Sequence, residues 1–177
     1  MTSSRNLRQS TRRSLLAGLV AIFALAAAGP VFAQKADKVV VKKGARKMML
    51  MKGGKVLKTY RIALGARPTG HKQQQGDERT PEGLYKLDYR NRNSKFYKSI
   101  HISYPNSKDR AAAKKRGVNP GGAIFIHGAP NGAPNSSIVQ AAMNRTNWTD
   151  GCIAVTNAEM DEIWAMVSDG TPIQIDP

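Results

Sequence analysis

Ala123-Ile124-Phe125-Ile126-His127-Gly128 and, after a spacer, Asn147-Trp148-Thr149-Asp150-Gly151-Cys152-Ile153-Ala154-Val155-Thr156 decide how this chain is read. The first is a short, nearly continuous apolar run, consistent with a buried strand that delivers His127 at its end. The second carries the single cysteine of the chain, placed directly after a glycine. A thiol is mostly protonated at neutral pH, and a nearby imidazole is the usual means of raising its thiolate fraction. The two residues lie about 25 positions apart, too far to share one helix face, so they meet only by folding. The histidine comes first, the reverse of the order in papain-like enzymes. The reading is Cys–His acyl transfer.

Together with Gly76-Asp77-Glu78-Arg79-Thr80-Pro81-Glu82-Gly83-Leu84-Tyr85, Ile102-Ser103-Tyr104-Pro105-Asn106 and Pro120-Gly121-Gly122, these stretches resemble the L,D-transpeptidase catalytic domain. Its signature is a histidine, a spacer, then Ser or Thr, His, Gly, Cys. The resemblance covers nearly all of residues 34–177. It implies Cys152 as nucleophile, His127 as general base, and the carbonyl of Gly128 as the group that orients the imidazole. Such a carbonyl holds one ring nitrogen in its donor form, so that the other accepts the thiol proton. Gly151 lets the chain approach substrate closely, and the amides of Gly151 and Cys152 are candidate oxyanion donors. A tyrosine hydroxyl assists in the family, and Tyr104 is the candidate here.

The implied substrate is a tetrapeptide stem of peptidoglycan. Cys152 would attack the carbonyl of the third residue, release the terminal D-amino acid and leave a thioester. An amine acceptor from a second stem, a wall-linked protein or a D-amino acid then gives transfer, whereas water gives hydrolysis. No metal or cofactor is implied. Two residues depart from the family pattern. Asp150 stands where the second histidine is usual, and Ala154 where many members carry arginine. Similar substitutions occur in a side branch of the family that includes enzymes cutting peptidoglycan links. A peptidoglycan amide hydrolase or L,D-carboxypeptidase therefore competes with the transpeptidase. Asp150 itself reads as an acceptor for a loop amide, a group repelling substrate carboxylates, or a turn former. Sortase-like transfer shares the His-before-Cys order, but nothing after Cys152 is Lys or Arg.

The 177 residues amount to one domain, and 41% apolar content suffices for a single core. Arg5, Arg8, Arg12 and Arg13 precede the uncharged run Leu15 to Ala28, then Val31-Phe32-Ala33. That is a basic, apolar and small-residue succession, so residues 1–33 read as a signal peptide cleaved after Ala33, with 34–177 as the catalytic domain. Thr11-Arg12-Arg13-Ser14-Leu15-Leu16 also resembles a twin-arginine signal, and ordinary export remains open beside it. Both routes place the domain in the periplasm or at the cell wall, with membrane contact only through the leader. A lone cysteine in an oxidising compartment lacks the usual structural purpose of disulfide pairing.

The chain carries 28 Lys and Arg against 12 acids, a net charge of +16. Without the four leader arginines the balance is about +12, a field that concentrates polyanions. The basic residues, Lys42-Lys43, Arg46-Lys47 and Lys114-Lys115-Arg116 among them, are scattered without interleaved aromatics, which argues against nucleic acid. They read as a solvated surface facing wall carboxylates and lipid headgroups. A non-catalytic, basic wall-binding protein is thus the rival from another class.

The remaining pattern is mainly β with small helices: by periodicity a sandwich or barrel-like sheet, and by resemblance a β-sandwich of mixed sheets. Strands are expected at Val39 to Val41, Lys47 to Met51 and Val56 to Leu64, with a hairpin at Gly53-Gly54. Further strands are expected at Leu84 to Tyr89, Ile100 to Tyr104, Ala123 to His127 and Thr171 to Ile175. Asn106 or Ser107 caps a helix over Lys108 to Arg116, and Ser136 to Met143 forms another. Thr156 and Glu159 form a capping box for a helix with an apolar face of Met160, Ile163, Trp164 and Val167, ended by Gly170. His71 reads as solvated in a polar loop, and His101 as facing away from Ile100 and Ile102. Three dispersed histidines and one cysteine give no close metal-ligand pairing.

Overall fold

The computed structural model describes residues 34–177, so the leader expected at 1–33 lies outside the described residues. In chain order the strands are β1 (Lys38–Lys42), β2 (Lys47–Lys52), β3 (Lys55–Arg61), β4 (Gly83–Asn91), β5 (Ser99–Ile102), β6 (Phe125–His127), β7 (Ile153–Ala154) and β8 (Thr171–Asp176). The helices are α1 (Ser107–Lys115), α2 (Ser137–Met143) and α3 (Asn157–Met166). The class is mainly β, as expected, with parallel and antiparallel pairs in one sheet.

β1, β2 and β3 form an antiparallel meander. Its second turn is the Gly53-Gly54 pair, both at positive φ (54° and 77°), which suits the twist of a two-residue hairpin. The last strand, β8, enters between β1, to which it is parallel, and β4, to which it is antiparallel. The full order is β3-β2-β1-β8-β4-β5-β6-β7. The expected strand Val56 to Leu64 stops at Arg61. Ile62-Ala63-Leu64 leaves β2, is fully buried, and runs to the opposite end of the order. There Ala63 exchanges hydrogen bonds of 3.0 and 2.9 Å with Ala154, and Gly65 bridges Thr149. The sheet therefore curls until its two ends meet, and that seam lies beside Cys152.

The core lines one face of this curl. Val39, Val41, Met48, Leu50, Leu87, Ile100, Ile102, Ile126, Ile153, Ile173 and Ile175 are essentially inaccessible. Each such side chain contributes roughly 1.5–3 kcal/mol of burial. α1 starts at Asn106, whose side chain accepts from the amides of Lys108 and Asp109 while Asp109 accepts from the Asn106 amide. Thr156 and Glu159 form the expected box on α3. That helix stops at Val167, not Gly170: Val167 turns extended (φ −103°, ψ 132°) and still reaches the core, fully buried. Met166 joins the expected face, while Trp164 packs partly buried against the core beneath the guanidinium groups of Arg90 (5.0 Å) and Arg92 (5.5 Å).

Two of the basic residues read as surface charge are buried. Lys43 is 2% exposed and donates to Gly70 O (2.7 Å), Thr80 O (2.9 Å) and Glu82 Oε1 (2.7 Å). Lys72 is 3% exposed and donates to Asp77 Oδ1 (2.7 Å) and Gln74 O (3.1 Å). Three well-placed acceptors compensate Lys43 for lost hydration. Both lysines pin the long segment between β3 and β4, which packs over the seam.

Candidate active site

Register decides which side chains meet. β5 and β6 pair Ser99 with His127 and His101 with Phe125, while β6 and β7 pair Ile126 with Ile153 in parallel. Since alternate residues share a face, Ile100, Ile102, Ile126 and Ile153 point to the core. His127 points to the other face, and Cys152, one residue before Ile153, shares it. The two line one cavity of about 460 Å³ with Phe96, Ile124, Trp148 and Asp150.

His127 is 2% exposed. Its Nδ1 lies 2.7 Å from Gly128 O, and only a protonated Nδ1 can donate there, which leaves Nε2 as acceptor. Phe96 (4.5 Å between ring centroids) and Trp148 (5.6 Å) pack against the ring. Burial pushes the imidazole pKa down, opposed by the Gly128 hydrogen bond. Burial pushes the Cys152 thiol up, opposed by a hydrogen bond with the Phe125 backbone; the Asp150 carboxylate raises it and Lys72 lowers it. Both net shifts disfavour the charged forms. The resting pair is therefore neutral thiol and neutral imidazole, and the thiol donates to Ala123 O at 3.6 Å.

The turn before Cys152 is set by Thr149. Its Oγ1 accepts from the Gly151 amide (3.2 Å) and donates to Cys152 O (2.7 Å). The Gly151 amide is thus engaged inside the turn and is not free as the oxyanion donor expected of it; of that pair the Cys152 amide is left. Gly151 instead serves close approach. Its φ is +130°, and a Cβ there would lie 2.6 Å from Arg79 O.

Other expectations change as well. Tyr104 does not line the cavity: it is 3% exposed, donates to Pro120 O (3.0 Å) and packs edge-on against Tyr85 and His71. Its hydroxyl is committed to fixing the Pro120 loop, so the assisting role assigned to it is withdrawn. His71 is not a solvated loop residue. Its Nδ1 accepts from the Glu82 amide (2.9 Å) and its Nε2 faces Asp109 Oδ1 (3.1 Å). His101 does face away from the core, against Asp88 Oδ1 (2.7 Å) and stacked on Tyr89 (4.5 Å). Asp150 lines the cavity as an exposed side chain and makes no bond to a loop amide, since Thr149 provides the turn.

Sequence reasoning missed Phe96, Trp148 and Lys72 as neighbours of the site. Trp148 stood in the decisive stretch, four residues before the cysteine. Its Nε1 is buried without an acceptor among the described residues, an uncompensated donor at the cavity wall. Phe96 fell in a segment without periodicity, and Lys72 offered no signal of burial.

A curled mixed sheet that sets a carbonyl-oriented histidine and a cysteine into one cavity at its seam defines a thiol–imidazole β-domain. The chain belongs to the L,D-transpeptidase catalytic domain family (YkuD), whose model matches residues 36–175. That family acts on the stem peptides of peptidoglycan. Over 116 residues the chain is 34% identical to an Escherichia coli K12 protein described as "Putative L,D-transpeptidase YafK", covering 64% of this chain and 38% of that one. The helical cell shape determining protein Pgp2 of Campylobacter jejuni superposes with a TM-score of 0.59 at 24% identity, over 78% of this chain and 46% of that one. Bd1075 of Bdellovibrio bacteriovorus gives 0.53 at 23%, over 82% and 51%. The chain thus spans about two fifths of the curated relative and about half of these structures.

Proposed function

We propose that this protein is an exported cysteine acyltransferase acting on tetrapeptide stems of peptidoglycan. The observation that carries the reading is the shared cavity of Cys152 and His127, with His127 Nδ1 held by Gly128 O. In the first step Nε2 takes the thiol proton as sulfur attacks the carbonyl of the third stem residue. The Cys152 amide binds the developing oxyanion, and the imidazolium returns its proton to the departing D-amino acid. In the second step Nε2 accepts a proton from the incoming amine, a new amide forms, and the thioester breaks to regenerate the thiol.

Residues 1–33 would direct the domain to the periplasm or wall and be removed after Ala33. The N-terminal sequence of protein recovered from the periplasmic fraction checks this.

Purified protein incubated with defined tetrapeptide muropeptides, its products resolved by mass, tests the chemistry. Dimers linked between third residues support transfer. Shortened monomers alone assign water as acceptor and a carboxypeptidase. Identical products from the Cys152→Ala variant would overturn Cys152 as the nucleophile; no products from either protein, together with undiminished wall binding by the variant, would leave only a non-catalytic wall-binding role.

A further inference from the structure

A second cavity, of about 320 Å³, adjoins the first and shares Gly122 and Asp150 with it. Its volume lies in the range of small-molecule clefts, ~300–1,000 Å³. Lys72 lines it opposite in charge to Asp150. Lys72 is fixed: nearly fully buried, with two of its three ammonium protons on Gln74 O and Asp77 Oδ1, leaving one donor uncommitted.

Asp150 is the exceptional acid of this chain. All twelve acids lie in the described residues: eight form ion pairs with Lys or Arg, and Asp88 and Asp109 lie against His101 and His71. Glu159 is held by the capping box on α3. Asp150 alone has neither an ion pair nor a hydrogen bond among the described residues, although the chain has a large excess of cations. Glu78, the other acid on this cavity, is drawn off by Arg67 at 3.4 Å. Asp150 also pushes up the pKa of the neighbouring thiol, which opposes activation of the nucleophile. A carboxylate kept there against that disadvantage is suited to a ligand.

The charges choose the ligand class. A simple cation drawn to Asp150 meets Lys72, and a simple anion drawn to Lys72 meets Asp150. A group carrying ammonium and carboxylate on one carbon satisfies both. We propose that Lys72 holds the carboxylate and Asp150 the ammonium of an amino-acid zwitterion beside Cys152, as the specificity determinant of the reaction. The assignment rests on the function proposed above. The zwitterion comes either from the free end of a diamino diacid at the third stem position or from a free D-amino acid serving as acceptor.

Binding to the Cys152→Ala protein tests this without turnover. The probes are a tetrapeptide with an unmodified diamino diacid, the same peptide with that amine acetylated, the same with that carboxylate amidated, and D-alanine. If the stem supplies the zwitterion, the unmodified peptide binds about tenfold more tightly than either masked form. Adding Asp150→Asn then abolishes the preference over the acetylated form and keeps that over the amidated one. If the acceptor supplies it, D-alanine binds saturably, Asp150→Asn weakens it by a similar factor, and the three peptides bind alike. Equal binding of the peptides with no D-alanine binding overturns the proposal, as does a preference over the acetylated form that survives Asp150→Asn unchanged. Turnover by the wild-type protein distinguishes the failures: products without these preferences sink the zwitterion site alone, and absent products with absent binding sink both readings.

Discussion

Replacing Gly151 by alanine puts the geometry of the nucleophile turn under direct test. At φ +130° an L-residue is strained by roughly 1–3 kcal/mol. The added methyl would also lie 2.6 Å from Arg79 O and 3.2 Å from Ile124 Cδ1. The nearer atom is backbone, held in the segment over the seam, so crowding adds roughly 1–3 kcal/mol. The sum, roughly 4 kcal/mol, is a large part of the ~5–15 kcal/mol that stabilises a domain. For a chain of this size it lowers Tm by about 8–16 °C. Gly170→Ala is the control: its φ is also positive, at +88°, and nothing lies within 4 Å of its added methyl, so it reports backbone strain alone. Thermal melting by circular dichroism measures both variants. If Gly151→Ala instead relieves the clash by moving residues 149–152 outward, Tm is spared and turnover of tetrapeptide stems falls at least a hundredfold, because sulfur leaves the imidazole. A Gly151→Ala protein that melts within 2 °C of the control and keeps its turnover would refute the close-approach argument.

The remaining predictions concern charge. Because burial holds both site groups neutral, iodoacetamide alkylation of Cys152 should climb only above the ordinary thiol range, ~8.5; a reactive plateau near pH 6, read by mass, would show a preformed ion pair. Removing the Asp150 carboxylate as Asp150→Asn should lower the thiol pKa and speed alkylation a few-fold at pH 8, less so in 1 M salt; an unchanged rate at low salt contradicts the coupling. His127 titrates lower when folded than unfolded, so its contribution to stability is present above pH ~6.5 and lost as pH falls through the folded value. Urea midpoints should therefore decline less between pH 7 and 5 for His127→Gln than for wild type, and parallel declines would oppose this. Lys43→Ala strands Glu82 and two carbonyls, and should cost roughly 3 kcal/mol in urea unfolding; a loss below 1 kcal/mol would mean that Lys43 is effectively solvated.

The elements legible in the chain were those fixed by neighbours in sequence. Gly53-Gly54 makes its own turn, and the Thr156–Glu159 box needs only four residues. Cys152 and His127 were legible because residue type and order restrict thiol chemistry, and the paired registers of β5, β6 and β7 bring them to one face. What stayed hidden depends on long-range packing. Insertion of β8 between β1 and β4, and the departure of Ile62 from β2, have no local signal, since an apolar residue suits either partner. Lys43 reads as surface because its acceptors, Gly70 O, Thr80 O and Glu82 Oε1, are brought to it only by the fold; Lys72 finds Gln74 O and Asp77 nearby in sequence, and only its burial is a matter of tertiary packing. Tyr104 was misassigned because its residue type allows an assisting hydroxyl, while its bond to Pro120 O is a matter of tertiary placement.

The clasp between Ala63 and Ala154, with Gly65 against Thr149, fixes when the sulfur becomes useful. It joins portions of chain far apart in sequence, contacts that form slowly because a long loop must first be closed. Until they form, the cysteine titrates as an ordinary unfolded thiol, below its value in the closed domain, where burial pushes it up. Closure thus brings sulfur and imidazole to one cavity while protecting the thiol from free electrophiles, so slow alkylation doubles as a gauge of complete closure.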